Sequence, residues 1–117
     1  MSIIKESDIP QVTPVVVRTK AEVMQVIKNN LDNFKLFGVS EIGLFGSFVR
    51  EEATDQSDVD LLVNLQIHDY LNFCRLHDFA KSLFVNRTVD IITEGSINEN
   101  NGRLICREVE YVTKNKK

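Results

Sequence analysis

Asp58 and Asp60 stand two residues apart in the run Ser57-Asp58-Val59-Asp60-Leu61-Leu62-Val63. On a strand, alternate side chains share a face and two steps span roughly 6.5 Å, so both acids can converge on one ion. Like charges this close repel unless a cation lies between them. Oxygen ligands of this kind suit Mg²⁺, which also bridges substrate phosphates. A third acid, Asp90, lies in Val89-Asp90-Ile91-Ile92. A carboxylate in such an apolar run must be solvated, paired or bound to metal. Upstream, Gly46-Ser47 closes the apolar run Ile42-Gly43-Leu44-Phe45. Glycine lets a backbone approach phosphate closely, and serine at the start of an expected helical turn offers a hydroxyl and a backbone donor to an anion. Alone, Asp-x-Asp is an ordinary solvated strand end and Gly-Ser an ordinary turn. Together, with only residues 48–57 between them and a third acid on a later strand, they read as a phosphoryl-transfer site. Two metal ions about 3.5–4 Å apart there activate an attacking oxygen and stabilise the leaving one. Arg50 either contacts phosphate or pairs with a nearby carboxylate.

The elements that must position these groups can be read from pattern. Thr19 and Glu22 match a capping box, and Val23, Val26, Ile27, Leu31 and Phe34 share one helical face, so a helix is expected from Thr19 to a stop at Gly38. Strands are expected at Ile42–Phe45, Asp58–Val63 and Thr88–Thr93, with a brief helical turn over Phe48–Glu52 and a polar turn at Thr54–Ser57. A long helix is expected over Asp69–Phe84, with Tyr70, Phe73, Cys74, Ala80, Leu83 and Phe84 inward and Asn86 as a left-handed cap. A last helix, near Asn98–Thr113, would align Leu104, Ile105, Val109 and Val112. This order implies one α/β (α+β) domain over residues 19–117, a small mixed sheet with helices packed against it. Residues 1–18 carry both prolines and no periodicity, and read as an extended N-terminal arm with Val15–Val17 against the domain.

Composition narrows the function classes. A chain of 117 residues supports one core, and its apolar runs fall far short of the roughly 20 residues a membrane span requires. The start Met1-Ser2-Ile3-Ile4-Lys5-Glu6 lacks an apolar leader, so secretion is not expected. A net charge of −3 argues against direct nucleic-acid binding through phosphate neutralisation. Cys74 and Cys106 are too few for a disulfide framework and fit a reducing cytoplasm. Cys74 and His77, with Cys106 or His68, lack the ligand spacings of a zinc site. Phe34, Phe37, Phe73, Phe79 and Phe84 fall at core spacings, and Tyr70 and Tyr111 read as core rings with surface hydroxyls before they read as modification acceptors.

The segments Gly46-Ser47-Phe48-Val49-Arg50-Glu51-Glu52-Ala53 and Ser57-Asp58-Val59-Asp60-Leu61-Leu62-Val63 resemble the signature of the minimal nucleotidyltransferases, the smallest members of the DNA polymerase β-like superfamily. Val89-Asp90-Ile91-Ile92 resembles their third-carboxylate strand, and Leu104 to Val112 their usual C-terminal helix. The resemblance spans about residues 19–113. It implies that Asp58, Asp60 and Asp90 bind metal, two Mg²⁺ ions, with Asp90 also activating the acceptor hydroxyl, and that Gly46, Ser47 and Arg50 bind the triphosphate of ATP. It further implies AMP transfer to a tyrosine of a HEPN-domain toxin, with this chain as the antitoxin. Transfer to a small molecule or RNA, and inhibition by complex formation alone, are the alternatives. Many relatives carry Gly where this chain has Glu51.

Overall fold

The Thr19 hydroxyl accepts the Glu22 N–H at 3.1 Å while the Glu22 carboxylate accepts the Thr19 N–H at 3.0 Å, which starts helix α1 (Lys20–Asn29) with both halves of the expected capping box. The computed structural model describes residues 3–100 and 102–112, so Thr113 and the lysine-rich tail lie outside the described residues. The expected single helix to Gly38 is instead two. At Asn30 the side-chain amide donates to the Val26 carbonyl at 2.8 Å and the backbone leaves helical geometry, so α2 (Leu31–Lys35) begins on a new axis. Gly38 and Asn86 both take the left-handed conformation expected of them.

Strand β1 (Val39–Phe45) runs antiparallel to β2 (Val59–Leu65), and helix α3 (Tyr70–Ser82) carries the chain across to β3 (Val89–Thr93), parallel to β2. Helix α4 (Gly102–Glu108) then leads into β4 (Glu110–Val112), antiparallel to β1 at the far edge. The sheet order is β3-β2-β1-β4, a mixed sheet as expected. The expected last helix is therefore corrected: it ends at Glu108, and Glu110 to Val112 pair with Leu44 to Ile42. Of the apolar residues read into that helical face, Val109 lies between α4 and β4, and Val112 lies in the strand. Gly43 makes this possible, since a Cβ there would overlap the Val109 side chain.

Val59, Leu61, Val63 and Leu65 alternate onto the core face of β2 and are buried with Ile42, Leu44 and Val89. Against them pack Val23, Ile27, Phe34, Phe37, Leu76 and Phe79, with the Phe79 ring 5.4 Å from Phe34 and 5.3 Å from Phe37. Along α3, the residues expected inward are covered to different degrees. Phe73 and Cys74 are half-buried, and Tyr70, the first residue after the Asp69 cap, is 82% exposed. Buried Asn72 takes an inward position and donates to the Phe37 and Ile67 carbonyls, pinning α3 to the end of α2. His77 contacts the Val89 carbonyl at 2.7 Å. No helix among the described residues is long and apolar enough to cross a membrane.

The segment before α1 is held by backbone bonds from Val15 N–H to Leu83 and from Val85 N–H to Val15. Only Val17 of the valine run is buried. Arg87, 9% exposed, donates to the carbonyls of Thr54, Ser57 and Val17 and lies 5.0 Å over the Phe48 ring. One cation thus ties this segment, the 46–58 connection and the start of β3 together. Arg87→Met keeps the apolar stem but strips a donor from three carbonyls, of which Thr54 keeps the Ser57 N–H. It should lower unfolding free energy by about 2–4 kcal/mol in urea titrations.

Candidate active site

Because β1 and β2 are antiparallel partners with Phe45 opposite Asp60, residues 46–58 leave and re-enter the sheet at the same end. Gly46 and Ser47 must therefore sit beside Asp58 and Asp60. Strand alternation puts both acids on the face opposite the main core. The parallel pairing of β2 and β3 then sets Asp60 directly against Asp90, about 4.8 Å away along the backbone hydrogen bonds. Asp58 and Asp90 are exposed, and Asp60 is half-buried. Gly46 turns the chain at φ +82, and a Cβ there would occupy the space of the Asp60 carboxylate. Its missing side chain thus makes room for an acid of the site.

The expected helical turn after Gly46-Ser47 forms and goes no further, with Arg50 N–H bonded to Gly46 and Glu52 N–H to Ser47. There is consequently no helix N-terminus to favour an anion. Glu51 closes the turn at φ +60, the left-handed conformation that explains glycine as the natural occupant. Of the two readings of Arg50, the structure displays ion pairing. Its Nε lies 3.1 Å from Glu52 and its Nη1 2.8 Å from Glu108. Glu108 also accepts the Gly46 N–H at 2.5 Å. Sequence reasoning missed Glu108 as a site residue, and no local spacing could have found it, since it lies 62 positions beyond Gly46. Lys20, from the start of α1, bridges Glu110 at 3.1 Å and Glu51 at 3.8 Å.

A nucleotidyltransferase-domain family model matches residues 23–116. The chain belongs to that family. This nucleotidyltransferase is 43% identical over 77 residues to the protein adenylyltransferase MntA of Thermococcus cleftensis, covering 65% of this chain and 77% of the relative. It is 33% identical over 82 residues to a candidate protein adenylyltransferase of Methanocaldococcus jannaschii, covering 68% and 94%. Among solved structures, a candidate minimal nucleotidyltransferase superposes with a TM-score of 0.67 at 26% identity, over 80% of this chain and 95% of the other. A toxin–antitoxin structure with AMP-PNP shares the fold at 17% identity and a TM-score of 0.57, over 85% and 76%.

The acids of the candidate site crowd one another. Burial, followed by the charges of Asp90 and Asp58 and to a smaller degree Glu108, pushes the Asp60 carboxyl from its ordinary 3.8 up to about 6, against an opposing pull from Arg50. Among the described residues no three acidic, His or Cys side chains converge closely enough to form a ready metal cage. The donor set nonetheless fits a hard cation: it is all carboxylate, it is short of positive charge, and two of its members are exposed enough to change rotamer without losing packing.

The crowding at Asp60 and the left-handed backbone of Glu51 each bear on stability. Between pH 6 and about 4 the folded state holds the Asp60 proton more tightly than the unfolded chain, so the charged acid opposes folding above pH 6 and ceases to as pH falls. In metal-free buffer, Asp60→Asn should melt higher than the parent at pH 8, and the gap should close as pH falls through 6 toward 4. Glu51→Gly should gain about 0.5–1 kcal/mol in urea titrations, because relief of the left-handed strain outweighs an exposed ion pair with Lys20.

Proposed function

We propose that this chain transfers AMP from ATP to a tyrosine of a HEPN-domain toxin in the cytoplasm, and so acts as the antitoxin of that pair. The observation that carries the reading is the register of Asp60 against Asp90 beside the Gly46 turn. The 43% identity to a protein adenylyltransferase supports AMP as the transferred group and a protein as the acceptor. The fold shared with a toxin–antitoxin structure holding AMP-PNP agrees with a toxin partner and ATP.

In this reading Asp58, Asp60 and Asp90 would hold two Mg²⁺ ions, which when bound neutralise the phosphates and polarise the reacting oxygens. Ser47 and Arg50 donate to the triphosphate, with Gly46 shaping the turn that presents them. Asp90, at the strand edge and exposed, accepts the proton of the incoming hydroxyl. The oxygen–phosphorus bond forms at the α-phosphate as the bond to pyrophosphate breaks. Few residues remain to position an acceptor, which favours one delivered by a docking protein.

Incubation with Mg²⁺, labelled ATP and the protein encoded by the neighbouring gene should add one or more AMP-sized mass increments to a tyrosine of that protein. Asp58→Asn or Asp60→Asn should cut the rate by at least two decades, about 3 kcal/mol of barrier. Protection by the doubly substituted chain with no mass change would establish inhibition by complex formation instead.

A further inference from the structure

Glu108 occupies an unfavourable position for a carboxylate. It is the last residue of α4, where the helix dipole favours cations, and its side chain is only 10% exposed. Burying a charge there is costly unless both oxygens are engaged. Both are: Oε2 accepts the Gly46 N–H and Oε1 accepts Arg50 Nη1. Apolar docking of this segment does not need the acid, since Ile105 is buried and Val109 packs over Gly43. The charge also adds to the crowd around Asp60. Its contacts go to two of the three groups assigned to the triphosphate.

We propose that Glu108 is a positioning residue for the nucleotide site: one carboxylate clamps the Gly46 turn and the Arg50 guanidinium so that Ser47 and Arg50 meet the triphosphate in a fixed arrangement. The proposal rests on the reading of Ser47 and Arg50 as triphosphate donors. With Glu52 on Nε and Glu108 on Nη1, two edges of the guanidinium are committed and its plane is fixed. An arginine whose side chain is otherwise 41% exposed is thereby ordered before nucleotide arrives. Preorganisation of this kind recovers the entropy that binding would otherwise spend on the side chain. Glu108 also joins the C-terminal α4–β4 unit to the turn after β1, so the edge strand and the nucleotide turn move as one piece.

The test is a double-mutant cycle read by calorimetry with Mg²⁺-ATP, which needs no acceptor. Glu108→Gln retains an acceptor for Gly46 but loses the charge that holds Arg50. It should weaken ATP binding about tenfold with a melting temperature close to the parent's. Arg50→Ala should weaken it by a similar factor, and the double variant should bind no worse than the weaker single. If the Gln chain does not fold, Glu108→Asp, too short to span both partners, enters the same cycle with the same expectation. Losses that multiply in the double variant would show Glu108 acting independently of Arg50 and overturn the proposal. Tighter ATP binding by Glu108→Gln would show the carboxylate competing with phosphate, and would overturn it equally. Unchanged affinity in Arg50→Ala would instead remove Arg50 from the triphosphate site, and the proposal with it.

Discussion

The contact between the Asp60 carboxylate and the bare Cα of Gly46 constrains everything around it. A half-buried acid needs space and polar surroundings, and here the space is a missing Cβ at the point where the chain must turn at positive φ. The turn places Ser47 and Arg50 just beyond the end of β1, where β2 begins after Asp58 and carries Asp60. The β2–β3 register then delivers Asp90 to the same place. A shift of one residue in either pairing would turn Asp60 into the core and Leu61 out of it, so the apolar packing of the sheet also sets the geometry of the acids.

The site is held together against its own charge. Asp58, Asp90 and Glu108 act on Asp60, and Glu51, Glu52 and Glu110 lie against the neighbouring cations. Among the described residues, the cations with ion pairs there are Arg50 and Lys20. Such an excess of like charge opposes folding, and a cation placed among these acids would relieve it. The apolar core behind β2, where the Phe79 ring packs against both Phe34 and Phe37, offsets that cost.

Much of this was legible in the sequence where the determinants are local. The Thr19–Glu22 box, the shared face of Asp58 and Asp60, and the left-handed Gly38 and Asn86 follow from a few adjacent residues. The nonlocal parts were not. Val109 and Val112 fit a helical face with Leu104 and Ile105, and only the free edge of β1, which exists once the sheet has formed, makes Glu110 to Val112 a strand. Glu108 and Arg87 are single charges with no neighbouring motif, and each acquires its partners from segments brought together by the sheet. Tyr70 failed for a smaller reason: the first turn of a capped helix overhangs the domain, so apolar periodicity does not guarantee cover there.

Arg87 gives the N-terminal segment a stake in the chemistry. The guanidinium that holds the carbonyls of Thr54 and Ser57, immediately before Asp58, also holds the carbonyl of Val17. A protease cut upstream of Val17 would free that carbonyl to fray, leaving the arginine one acceptor short and slackening the loop it anchors. The damage would surface at the aspartates, although the lost residues touch none of them. Limited digestion, or a bulky fusion placed at this end, would therefore act as a remote dial on the acidic cluster.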